Sequence, residues 1–181
     1  MYETKRLQLR SLVLSDAAQV EALAGDYEIA KTTLNIPHPY PEGGAITWIT
    51  SILEDPNEGK TRRTFAITLD NMLIGTISLL IAEVHNRAEL AYWLGTEYWS
   101  QGYMTEVAQL MIQIGFEEHQ LHRIYAASFT ENPGSWKIMK KLDMTYEGTM
   151  RHHVMKWGKP VDLVYYGILK EEYETKKQGA L

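Results

Sequence analysis

The sequence has no cysteine, which excludes disulfides, thiolate metal sites and a cysteine nucleophile together. It has no apolar run approaching the roughly 20 residues that span a bilayer, so no membrane partner is expected. The opening MYETKRLQLR lacks the apolar stretch of a secretory leader, and a cytoplasmic location is the default expectation. Positive charge is not in excess: 18 Lys and Arg against 23 Asp and Glu give a formal net charge of −5. General nucleic-acid binding needs a basic footprint and is not expected here. A polyanionic ligand would have to be held by local geometry, while an amine-bearing substrate is mildly favoured by the overall field. Internal repeats, low-complexity segments and Pro/Gly/Ser linkers are also missing. The 181 residues, 45% hydrophobic and 23% charged, therefore read as one domain over 1–175 with a frayed tail at 176–181.

What is present is a run of clear periodicities. TKRLQLRSL alternates Leu7 and Leu9 with polar residues, as a half-buried strand does. Asp16 with Gln19 reads as a capping box, opening a helix whose face is Ala17, Val20, Leu23 and Ala24 and whose stop is Gly25. NIPHPYPEGG, with Pro37, Pro39 and Pro41, has to be irregular. It precedes a second helix with Ala45, Trp48, Ile49, Ile52 and Leu53 on one face. RTFAITL and MLIGTISLLIA read as a hairpin turning at Asp70-Asn71, with Gly75 marking a bulge. A strand from about Arg87 to Gly95 follows. Val107, Leu110, Met111 and Ile114 then give a long amphipathic helix, and RIYAASF a further strand. Strand, helix and strand with short joints imply a parallel crossover pair. NPGSWKIMKKL gives another helix, with Asn132 as N-cap and Pro133 at its first position. Two last strands meet at Trp157-Gly158-Lys159. The layout is α+β, a three-layer arrangement on a mixed, mostly antiparallel sheet with one parallel strand-helix-strand crossover.

Ligands in open sheets collect beyond strand ends where connections change, which here is Leu94 to Met104. That stretch includes EYWSQGYMTE, in which Gly102 stands just ahead of the long helix. A helix start presents unpaired N–H groups and a partial positive charge, and a glycine lets a bulky anion approach them. Gln101, Gly102, Tyr103, Met104 and Thr105 offer such amides in sequence. By itself this is equally a plain helix-entry turn. Neither G-x-x-x-x-G-K-[ST] nor the three-glycine dinucleotide fingerprint is present, which points to a carrier such as coenzyme A.

Four segments, in order, resemble the GNAT family (GCN5-related N-acetyltransferases), and in particular its RimJ/RimL-type branch of protein N-terminal acetyltransferases. They are the Pro39–Ile49 region, AELAYWLGTEYWSQGYMTE, NPGSWKIMKKLDMTYEGTMR and DLVYYGILKEEY. Met104, Ser100 and Asp143-Met144 depart from the branch's usual small or Gly-Phe residues. The resemblance implies a GNAT fold, acetyl-CoA as co-substrate, no metal and a primary amine as acceptor. It implies the diphosphate at Gln101–Thr105, the pantetheine arm and carbonyl near the main chain of Trp93 and Leu94, and further cofactor contacts at Asn132 and Ser135.

It also implies catalytic roles for Glu89, as base or water-orienter, and Ser135, as proton donor to sulfur, with Tyr125 and Tyr146 as substitutes for that acid. His38 and Tyr40 would border the acceptor, and a homodimer is in keeping with the family. The expected acceptor is the N-terminal α-amine of a protein such as a ribosomal one. A small amine (polyamine, amino sugar or antibiotic) and a non-catalytic acyl-CoA-binding module are the alternatives. Against the catalytic reading of Glu89 stands an ion pair with Arg87, and against that of Ser135 plain helix entry. Adjacent His152 and His153 would point to opposite faces of a strand, which disfavours a shared metal.

Overall fold

The computed structural model describes residues 1–179. In chain order the elements are β1 (Tyr2–Glu3), β2 (Gln8–Arg10), α1 (Ala17–Ala24), α2 (Tyr27–Thr32), α3 (Gly44–Leu53), β3 (Arg62–Leu69) and β4 (Met72–Ala82). There follow β5 (Arg87–Leu94), α4 (Tyr103–Glu117), β6 (Arg123–Phe129), α5 (Pro133–Lys141), β7 (Thr145–Lys156), β8 (Lys159–Leu169) and α6 (Lys170–Gly179). The eight strands form one sheet in the order β1-β2-β3-β4-β5-β6-β8-β7. β5 and β6 run parallel, with Glu89 opposite Tyr125, whereas β1/β2, β2/β3, β6/β8 and β7/β8 are antiparallel. The mixed sheet and the parallel crossover around α4 are those expected from the periodicity.

The chain divides into two compact units, Met1–Ser78 with Tyr92–Val107, and Leu79–Ala91 with Ala108–Leu181. The first unit has a core of Leu12, Val20, Ala24, Ala45, Ile49, Ile52, Ala66 and Leu73, against which Trp48, Trp93 and Tyr40 are partly buried. The apolar stripes of α1 and α3 read from sequence are the surfaces that meet there, except that Leu53, at the end of α3, is 49% exposed. Burying each such branched side chain contributes ~1.5–3 kcal/mol. In the second unit the ladder of β6 on β8 runs from Arg123↔Leu169 to Phe129↔Leu163, and Leu90, Ile114, Phe116, Ile124, Met139 and Ile168 are buried.

Several local expectations are corrected. Asp16 makes no side-chain cap to α1. Its carboxylate instead accepts from the Val13 N–H (2.9 Å) and from both Nη atoms of Arg10 (2.8 and 2.7 Å). A bidentate charge-assisted pair outcompetes a single capping bond for the same oxygens. At Gly75 the structure adds a reason that the sequence did not show: a Cβ there would lie 2.3 Å from the Trp93 carbonyl oxygen. α2 was not read from the sequence, because six residues are too few to show a helical period; Asp26 caps it by accepting from the Glu28 N–H (2.8 Å). Lys176 and Lys177, read as tail, lie in the last turns of α6, where they pair with Asp143 (2.7 Å) and Glu117 (2.5 Å). Both hairpin turns were placed correctly: Asp70-Asn71 and Trp157-Gly158 have positive φ at both residues, the geometry that matches strand twist.

No helix among the described residues is long and apolar enough to cross a membrane.

Candidate active site

The first unit holds a turn of backbone amides. α4 begins at Tyr103, and its first hydrogen bond runs from the Glu106 N–H to the Gly102 carbonyl (3.1 Å). The N–H groups of Tyr103, Met104 and Thr105 therefore have no intrahelical partner, as at any helix start. Gly102 has φ +80, a conformation that an L side chain adopts only with strain. Met104 turns its side chain into the core (5% exposed), so its size does not obstruct the amides. Gln101 and Gly102 are exposed, and the Gln101 side chain bonds back to the Glu97 carbonyl (2.8 Å). A bare glycine ahead of unpaired amides fits a bulky diphosphate.

On β5, the Gly95 N–H donates to the Ile74 carbonyl of β4 (2.9 Å). Strand alternation then directs the Trp93 main chain to β4 as well, and the Leu94 N–H to the opposite edge of β5. The recorded β5/β6 ladder ends at Glu89, so it does not reach Leu94. The Leu94 carbonyl is held by Trp99 Nε1 (2.7 Å). Of the two expected carbonyl donors, alternation thus favours Leu94, while the Trp93 side chain packs on the α1–α3 core. Tyr40 packs there too, and burial, then Glu21, pushes its hydroxyl pKa up. His38 is exposed, edge-on to Tyr27 at 5.3 Å.

The second unit holds its own group of polar and aromatic side chains. Glu89 is half-buried and accepts a hydrogen bond from the Tyr125 hydroxyl (3.3 Å). Burial pushes its carboxyl pKa up, and the tyrosine bond pulls back less strongly. The expected alternative, an ion pair to Arg87, is not found among the described residues; the Arg87 guanidinium instead lies 5.5 Å from the Tyr125 ring. Tyr165 stacks on Tyr125 at 6.3 Å, and burial followed by the Glu89 charge raises its pKa. Asn132 caps α5 by accepting from the Ser135 N–H (3.3 Å), with Pro133 at the first position as expected. Ser135 is half-buried at that helix start. Tyr146 is 53% exposed, and its hydroxyl shares a hydrogen bond with Thr149 Oγ1 (2.8 Å). His152 has φ +49 within an irregular stretch of β7, so simple alternation does not apply to it, and His153 meets Tyr165 edge-on at 6.1 Å.

Residues 6–145 match the Acetyltransferase (GNAT) domain family. The chain belongs to the GNAT acetyltransferases. The GNAT structure from Bacillus anthracis is 27% identical, with a TM-score of 0.83 over 94% of this chain and 98% of that one. The putative ribosomal N-acetyltransferase YdaF of Bacillus subtilis (strain 168) is 33% identical over 109 residues, covering 60% of each chain. The spermidine N(1)-acetyltransferase of Escherichia coli (strain K12) is 24% identical over 176 residues, 96% of this chain and 92% of its own. This GNAT member is thus an acetyl-CoA-dependent acetyltransferase, as its motifs led us to expect.

Two residues beside these groups escaped the sequence reading. Tyr165 carried no signal beyond strand alternation. Arg6 sits in TKRLQLR, whose only visible feature was the Leu7/Leu9 period, yet it bonds to Gln101 and Glu106 across the fold.

Proposed function

We propose that this enzyme acetylates the N-terminal α-amine of a protein, with Glu89 as its proton acceptor. The observation that carries the reading is Glu89 itself: a half-buried carboxylate bonded to Tyr125 rather than neutralised by a cation. An α-amine has a pKa of about 7.7–8.0 against about 10.4 for lysine, so a single modest base, acting through water, suffices for it. A carboxyl whose pKa is raised by burial is better matched to that proton than an ordinary one. Resemblance to the ribosomal acetyltransferase of B. subtilis supports a polypeptide acceptor.

Acetyl-CoA supplies the activated acetyl group as a thioester. In this reading the amides of Gln101 to Thr105 hold its diphosphate, and Leu94 offers an N–H to the carbonyl oxygen. Such a backbone donor is preorganised and worth about 3 kcal/mol. Ser135 Oγ holds the proton that a departing thiolate needs, and Asn132 fixes the helix start from which Ser135 projects. His38 and Tyr40 border the acceptor.

The full-length likeness to a spermidine acetyltransferase favours a second reading, in which the acceptor is a polyamine. A panel of short peptides with free N-termini, spermidine and amino sugars, followed by release of CoA thiol, tests the two. Turnover of peptides above all small amines is the expected result; turnover of spermidine alone would replace the first reading by the second.

A further inference from the structure

We infer that Arg6 is the positioning residue of the amide turn: it sets the direction of the Gly102 N–H and presents a guanidinium edge beside the open side of Gly102. The inference rests on the reading of that turn as the diphosphate site of acetyl-CoA. Arg6 lies between β1 and β2, and its Nη1 donates to the Gln101 carbonyl oxygen (3.0 Å). The C=O of one residue and the N–H of the next point to opposite sides of a trans peptide. By gripping the Gln101 oxygen, Arg6 turns the Gly102 N–H away from itself and fixes it there.

Arg6 is itself held on three sides. Its Nε donates to Glu106 Oε2 (2.8 Å) and its main-chain N–H to Glu106 Oε1 (2.9 Å). Thr4 Oγ1 donates to that same Oε1 (2.6 Å), and the guanidinium carbon stands 4.4 Å from the centre of the Tyr103 ring. Glu106 is in the first turn of α4, so the N-terminal hairpin and the amide turn share one carboxylate. Nη2 alone of the guanidinium nitrogens has no acceptor among the described residues, and it lies 3.4 Å from where a Cβ of residue 102 would be. It is therefore next to the open side of Gly102. Because Glu106 neutralises the arginine, its contribution is the direction of donors more than net charge. Lysine, with one point charge and no planar fork, cannot hold the carbonyl and the carboxylate at once.

The test compares Arg6→Ala and Arg6→Lys with the parent, using acetyl-CoA and S-acetylpantetheine, which lacks the diphosphate. Both variants should raise Kd and KM for acetyl-CoA by about tenfold or more. Turnover at saturating acetyl-CoA, and kcat/KM for S-acetylpantetheine, should stay within about twofold of the parent. Arg6→Lys with parental affinity would show that charge alone matters and would overturn the inference. So would an equal loss with S-acetylpantetheine, the mark of general damage to the fold. Should Arg6→Ala not fold, Glu106→Gln keeps the shape of the clamp and is expected to weaken acetyl-CoA selectively but less; parental affinity there would count against the inference. A parent that binds no acetyl-CoA would instead overturn the underlying reading of the turn.

Discussion

Around Gly102 the functional groups are main-chain amides, and the neighbouring side chains are engaged elsewhere: Met104 in the core, Gln101 on Glu97, Tyr103 under Arg6. Around Glu89 the reverse holds. There the strand backbone is committed to the β5/β6 ladder, and the chemistry lies in a carboxylate, two stacked tyrosines and the guanidinium of Arg87 against a ring. An amide turn depends on backbone conformation and tolerates side-chain change, whereas a carboxylate patch depends on one atom's protonation. The first should fail when φ is disturbed and the second when a proton acceptor is removed.

The largest effect is expected at the carboxylate. Glu89→Gln should lower turnover by about 100-fold or more at neutral pH, with KM for acetyl-CoA little changed. The deficit should shrink as pH rises through the α-amine range of about 7.7–8.0, where the acceptor deprotonates unaided. An equal deficit at every pH would remove the base role from Glu89. At the turn, Gly102→Val forces a side chain into φ +80 and should raise KM for acetyl-CoA by about 10–100-fold, corresponding to ~1–3 kcal/mol of strain, with near-parental turnover at saturation. Met104→Leu, which alters only a buried side chain, should leave that KM unchanged; a rise would show that the side chain matters after all. Ser135→Ala should slow turnover by about tenfold while cofactor affinity holds, and the opposite pattern would make Ser135 a binding residue.

A smaller effect concerns stability. Burial raises the Glu89 carboxyl pKa above the ordinary glutamate value of 4.5, so the folded state binds the proton more tightly than the unfolded one. The charged form is the disfavoured one, and the parent loses stability as pH rises from 4.5 through the raised value. Glu89→Gln should therefore equal or exceed the parent in denaturant resistance at neutral pH, the advantage fading below that window. A variant less stable at pH 7 would mean that the carboxylate is better solvated or paired than its surroundings indicate. Smallest of all is the α6 contact. Bonds from Lys177, Tyr173 and Gln113 lower the Glu117 pKa to about 2, so its contribution is present above 4.5 and is lost as pH falls toward 2. The pair is exposed, and Lys177→Ala should cost no more than about 0.5 kcal/mol by chemical denaturation.

The strong periods of the chain were enough to place the β3–β4 hairpin, the β5–α4–β6 crossover and the Asn132-Pro133 helix start. Each of these is signalled by residues a few positions apart, through hydrophobic period, turn residues or an N-cap. Asp16 was misread because a local capping rule was applied to a carboxylate that a bidentate arginine had already engaged. The close approach of the Trp93 carbonyl to Gly75 was not read, because that oxygen lies on another strand. Arg6 was overlooked for the same reason: its partners are 95 and 100 residues away along the chain.

The order of the longer elements and the turn types were thus legible in the sequence alone, and the class of chemistry through the family its motifs resemble, since hydrophobic period, turn residues and motif order are properties of neighbouring residues. Which N–H of β5 faces the open edge, that Glu89 meets a tyrosine in place of a cation, and that an N-terminal arginine orients the amide turn were decided by tertiary structure. Those features depend on which strands lie side by side, and hydrogen bonds between groups far apart in the chain leave no mark on local pattern.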